Sequence, residues 1–95
     1  MACSTANVTT ATPGRYAKQL ASHLGRRAKL VSEAEGERIV VGDGSCLLVL
    51  TENQLVLKAT AQDDLTLARV KDVVGGHLAR FGSRDGLLVN WVDHD

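Results

Sequence analysis

Asp63-Asp64-Leu65-Thr66-Leu67-Ala68-Arg69-Val70-Lys71-Asp72-Val73-Val74-Gly75-Gly76-His77-Leu78-Ala79-Arg80-Phe81 is the stretch whose reading decides the fold. Leu67, Val70, Val74, His77 and Phe81 recur at spacings that alternate between three and four, with Leu78 beside them. That period belongs to a helix with one apolar stripe. Asp63 and Asp64 place negative charge where the helix begins and complement its N-terminus. Gly75-Gly76 interrupts the composition but not the phase. Two interior glycines cost about 1 kcal/mol each relative to alanine, and either close packing or a bend would account for them.

Upstream of this helix the pattern changes to alternation. Ser45 to Thr51 and Gln54 to Ala61 flank Glu52-Asn53, and Ala28 to Ala34 and Glu37 to Val41 flank Glu35-Gly36. Each is a hairpin signal, with a turn-forming pair between two extended runs. Gly42-Asp43-Gly44 separates the two hairpins. Further upstream, Thr12-Pro13 predicts a helix start, with Thr12 as cap and Pro13 in the first turn. Tyr16, Leu20 and Leu24 follow at helical spacing, and Gly25 is placed to end the helix with positive φ. Ala6 to Ala11 alternates weakly and is expected to be an edge strand. Downstream, Leu87 to Val92 predicts a last strand. The expected order is β-α-β-β-β-β-α-β, an α+β fold with a mainly antiparallel sheet and two helices packed on one face. Residues 1–95 make one domain, with 1–5 expected to be disordered.

By strand parity Ile39, Val41, Cys46, Leu48, Leu50, Leu55 and Leu57 face the helices. Leu47, Val49 and Val56 then point to the other side. A solvated sheet face is usually more polar than this. The three are therefore candidates for an interaction surface, covered by a partner, a second copy or the terminal segment. Scattered exposed aliphatics would also explain them.

Composition narrows the classes of function. Eleven basic and eleven acidic side chains leave no formal net charge, which argues against a duplex nucleic-acid partner. The basic cluster Arg26-Arg27 with Lys29 is explained by a solvated helix end. Apolar residues make up 44% and aromatics 3%, so the core is aliphatic. No segment reaches the roughly 18 apolar residues that a membrane span needs. No signal peptide is visible, and a cytoplasmic location is expected. Two cysteines, Cys3 and Cys46, are too few for a disulfide framework. Cys46 alternates with Leu48 and Leu50 and reads as a small buried residue.

The chemistry-bearing residues are His23, His77 and His94, with Cys46 and Asp43 as additions. No short-range ligand pair of the structural-zinc kind is present, so no metal site is assigned. His23 flanks the stripe of the first helix and His77 lies within that of the second. Both are explained as boundary histidines with a satisfied ring nitrogen. They are also candidates for one polar ligand pocket, with Arg26, Arg27 and Arg80 nearby. The rings meet if the helices cross steeply, and stay apart if these lie antiparallel with their ends opposed. Gly44-Ser45-Cys46 lacks the strand–turn–helix setting of a nucleophile elbow. Arg80 and Arg84 read as a solvated helix end, and Trp91 as an aromatic at the core edge. No catalytic residue is assigned, and no cofactor is expected.

Three blocks together carry a resemblance: Pro13-Gly14-Arg15-Tyr16-Ala17-Lys18-Gln19-Leu20 with His23-Leu24, Val73-Val74-Gly75-Gly76-His77-Leu78-Ala79-Arg80-Phe81, and Leu87-Leu88-Val89-Asn90-Trp91. In this order they resemble a bacterial domain-of-unknown-function family of about a hundred residues. That family occurs alone or fused to siderophore-interacting, flavin-dependent ferric reductases. The resemblance implies a bacterial protein linked to iron or siderophore handling, with such a reductase as partner. It transfers no active site to any residue. The function expected first is a non-catalytic accessory or binding module, with His23, His77 and Arg80 as its ligand residues. The alternative is a small homodimer whose sheet faces pair through Leu47, Val49 and Val56. The least favoured is a small enzyme using His77.

Overall fold

A computed structural model describes residues 1–26 and 28–94. The two central hairpins form where their turns direct. Strand β3 (Glu37–Val41) pairs antiparallel with β4 (Gly44–Leu50), and the Val41–Gly44 pair leaves Gly42-Asp43 as a two-residue loop. Gly42 has φ +58°, and no described non-glycine residue has positive φ. Glycine at the first loop position with a negative φ after it suits the twist of the flanking strands. β4 continues through a turn closed by Thr51 N–H donating to Gln54 O at 3.0 Å into β5 (Gln54–Ala61). β2 (Lys29–Ser32) pairs with β3 through the loop 33–36.

β1 (Ala2–Thr9) pairs with β5 on one side and with the last strand, β6 (Trp91–His94), on the other. The sheet order is β2-β3-β4-β5-β1-β6, antiparallel throughout. β1 is therefore internal, not the edge strand expected. It starts four residues earlier than read, and residues 2–5, read as disordered, lie inside the sheet. Its small side chains, Ala2, Cys3, Ser4 and Ala6, gave a weak local pattern, and its place depends on partners distant in sequence. The final strand is later and shorter than read. Leu87 and Val89 instead pack against the core as an extended tail.

Helix α1 (Pro13–Leu24) and helix α2 (Asp64–Phe81) cover one face of the sheet. α1 brings Tyr16, Leu20 and Leu24 to the core, and α2 brings Leu67, Val70, Val74 and Leu78. They meet Ala6, Val8, Ile39, Cys46, Leu48, Leu55 and Leu57 from the strands. Leu50, expected to face inward, is 51% exposed because it lies at the end of β4, against the start of α1. The cap of α2 forms as read, with Asp63 accepting from Thr66 N–H at 2.7 Å. The cap of α1 does not. The Thr12 side chain makes no capping bond, and its own N–H donates to Thr10 Oγ1 at 3.1 Å. Gly25 has φ −61°, helical rather than left-handed. A side chain there would meet Ala21 O at 2.7 Å, so close backbone approach explains this glycine. No helix among the described residues is long and apolar enough to cross a membrane.

Candidate functional site

Where α1 and α2 touch, three rings from two helices come together. The His23 and His77 ring centres are 5.0 Å apart, with planes at 47°. Phe81, one turn beyond His77, presents an edge to His23 at 5.3 Å. Further along the same seam, the Tyr16 hydroxyl donates to Asp85 Oδ2. Going along α1 from 16 to 23 thus means going back along the chain from Asp85, in the short 3-10 turn after α2, to His77 within it. The helices run in opposite senses, but α1 is displaced towards the C-terminal half of α2. That displacement brings the two histidines together although the helices run in opposite senses, the arrangement expected from the sequence to keep them apart.

Each ring is held differently. His77 is half-buried and its Nδ1 lies 2.5 Å from Val73 O. A carbonyl oxygen only accepts, so Nδ1 carries the hydrogen and Nε2 keeps its lone pair in the neutral ring. His23 is exposed on the last turn of α1. Two cavities flank the pair. One, of about 380 Å³, is lined by His23, His77, Arg26, Val41, Gly42 and Val73 among others. The second, of about 240 Å³, is lined by Gln19, Ser22, His23, Arg26 and Phe81. His23 and Arg26 border both. Arg80, named from the sequence as a ligand residue, lines neither, because it lies on the exposed side of α2. Arg27 lies outside the described residues.

The other singled-out residues are dispersed. Cys46 is fully buried in the core, and burial pushes its thiol up to about 12. His94 sits on β6 with Nε2 at 3.0 Å from Thr5 Oγ1. Asp43 occupies the β3–β4 turn. Among the described residues no three of His, Cys, Asp and Glu form a group that would hold a metal ion.

The opposite sheet face carries a polar chain that the sequence reading missed. Arg38 Nε and Nη2 donate to Glu33 at 2.5 and 3.2 Å, and Nη1 donates to Ser45 Oγ at 2.9 Å. Ser45 Oγ is 3.3 Å from Thr60 Oγ1. Strand parity would have put these three side chains on one face, had it been applied to polar residues as well as apolar ones. Leu47 lies between Arg38 and Lys58 in the paired strands. It is only 5% exposed, and Val56 9%. Of the three residues named as an interaction surface, Val49 alone is half-buried rather than covered.

Residues 5–92 match a family described as an uncharacterized protein conserved in bacteria (DUF2218). Among solved structures, the NMR structure of PA4090 from Pseudomonas aeruginosa is similar, at 28% identity. The likeness covers 97% of this chain and 96% of that one, with a TM-score of 0.78. No curated protein matches the chain.

Proposed function

The chain belongs to that bacterial family of uncharacterized proteins, and from this premise we propose that it is a non-catalytic binding module which receives a small anionic ligand between α1 and α2. The observation that carries the reading is the cleft itself. It combines an exposed guanidinium, Arg26, with two imidazoles and an aromatic edge, between two cavities of about 380 and 240 Å³. A few polar groups converging on an otherwise apolar hollow are the usual form of a small-molecule site. Guanidinium is suited to carboxylate, which it meets with two parallel hydrogen bonds. The resemblance to domains fused to siderophore-interacting reductases supplies the ligand class to try first, a siderophore or another carboxylate-bearing iron chelate, and a reductase as partner.

Among the described residues no thiol lines the cleft, which supports binding over catalysis: Cys3 lies on β1 and borders neither cavity. Cys46 is sealed in the core, and Ser45 is held by Arg38 and Thr60. The homodimer with paired sheet faces has less support, since Leu47 and Val56 keep little area to bury.

The test is NMR titration with gallium-loaded siderophores, diamagnetic stand-ins for the ferric forms, and with metal-free citrate. Perturbed Arg26 and His23 side-chain signals, lost in Arg26→Gln, are expected. Signals at the cleft that stay fixed with every anion would remove the reading.

A further inference from the structure

We propose that His23 and His77 form a two-histidine anchor for a divalent transition-metal ion, so that the ligand of the cleft is a metal chelate held through imidazole nitrogen. This deepens the anion-binding reading above and rests on it only for the role of Arg26. At a metal–nitrogen distance of about 2.0 Å, each ring centre lies about 3.1 Å from the ion, so two rings at a tetrahedral angle stand about 5 Å apart. The observed separation is 5.0 Å. His77 is already oriented as a ligand needs. Its Nδ1–H is fixed on Val73 O, which sets the tautomer and leaves Nε2 free, as outer partners of metal-bound histidines do. His23 is exposed and able to turn about its side-chain bonds. Phe81 packs beside it at 5.3 Å and brings no competing donor.

Two protein nitrogens leave coordination positions open. These suit an ion that arrives with its own oxygen ligands, whose carboxylates Arg26 would meet from either cavity. Imidazole selects zinc, copper or nickel, with copper bound most tightly of the divalent series. A ferric siderophore already saturated by oxygen has no use for these nitrogens, so the anchor and the siderophore reading predict different probes.

The experiment titrates the tag-free protein with Zn²⁺ alone, then with zinc citrate, while following the histidine ring nitrogens by NMR. Cu²⁺ titrated calorimetrically gives a second readout. Shifts are expected at His77 Nε2 and at one nitrogen of His23, with His94 unmoved. His23→Ala and His77→Gln should each weaken Zn²⁺ by at least the roughly 10- to 100-fold that losing an outer partner of a metal site costs. Unchanged Trp91 emission would show that each variant is folded. Zinc affinity indifferent to both substitutions, shifts confined to His94, or no binding of either metal would overturn the anchor. Gallium siderophores that move Arg26 while zinc leaves both rings fixed would keep the anion cleft and remove the anchor. Zinc that moves both rings while no anion touches Arg26 would do the reverse.

Discussion

At the scale of single residues, what matters is how completely a reactive group is enclosed. Cys46 and Cys3 differ by this alone. Cys46 is closed in between the sheet and the helices and its thiol is pushed up to about 12, whereas Cys3 is half-exposed on β1. The thiolate is the reactive form. Native protein treated with iodoacetamide at pH 8 should therefore be modified at Cys3 and not at Cys46, with Cys46 reacting only after denaturation. Peptide mass spectrometry would decide it, and equal labelling of both would contradict the buried placement. Tyr16 offers a test in the opposite direction of pH. Its hydrogen bond to Asp85 raises its ionisation above the ordinary 10.0, with burial and the nearby carboxylate charge adding to the effect. A group raised in the folded state contributes stability below its unfolded value and loses it as pH climbs through the folded one. Wild type should thus exceed Tyr16→Phe in Tm at pH 7, and the gap should shrink above about pH 10. This is the one tyrosine in the chain, so tyrosinate absorbance reports its titration directly. Asp85 was not singled out from sequence, because its partner lies on another helix and neither residue's neighbours announce the pair.

At the scale of the element, α2 contains adjacent glycines that local sequence cannot tell apart. Gly75 lies under the indole of Trp91, and a Cβ there would stand 2.8 Å from Nε1 and 3.3 Å from the ring carbons. Gly76 has open space around its missing side chain. Close packing, not a bend, accounts for the first, and nothing in the structure requires the second. Gly76→Ala should raise stability by about 0.5–1 kcal/mol through helix propensity and a less flexible unfolded chain. Gly75→Ala should lower it and shift Trp91 emission, because the indole must move off the helix. Thermal melts with fluorescence would check both, and an equal response from the two positions would refute the packing argument. The helix itself was legible, since a three-four alternation from Leu67 to Phe81 has no competing reading. The contact that selects glycine at 75 was not, because Trp91 arrives from sixteen residues downstream. The caps divide in the same way. Asp63 reaches its amide within one turn, whereas Thr12 is drawn aside by Thr10. Acid should expose this difference. Bonding to Thr66 holds the Asp63 carboxyl below its ordinary value, so its contribution is present above about pH 4 and lost as pH falls through the lowered one. Asp63→Asn should flatten that part of the acid limb in a Tm–pH profile, and Thr12→Val should leave it as it is.

At the scale of the whole molecule, element order and antiparallel pairing were legible, and the meeting of chain-distant parts was not. The helix and hairpin signals are local, and each formed. β1 became an internal strand only because β6 returns to pair with it, and His23 met His77 only because α1 is displaced along α2. Both results depend on how layers settle against one another, a degree of freedom that periodicity does not record. The same limit governed the second sheet face. Parity correctly sent Leu47 away from the helices, but it could not reveal that Arg38 and Lys58 would flank it. Leu47 at 5% exposure and Leu48 at 1% are nearly equal in burial, yet their surroundings differ in kind. Leu48 is enclosed by packed side chains from both layers, whereas Leu47 lies on the other face, paired across the strands with Arg38 and Lys58. Truncation between two packed layers leaves a cavity, while on a face with no second layer the neighbouring long side chains can settle into the space. Leu48→Ala should therefore cost about 3–5 kcal/mol, towards the upper part of the range for leucine truncation, and Leu47→Ala about 1–2 kcal/mol. Against a total stability of about 5–15 kcal/mol for a domain of this kind, the first substitution threatens folding and the second does not. Chemical denaturation separates them, provided the slope with denaturant stays constant. Equal costs would mean that the second face is packed as firmly as the first. A larger cost for Leu47, growing with protein concentration, would show a second copy seated on that face and would restore the paired-sheet dimer in place of the lone binding module.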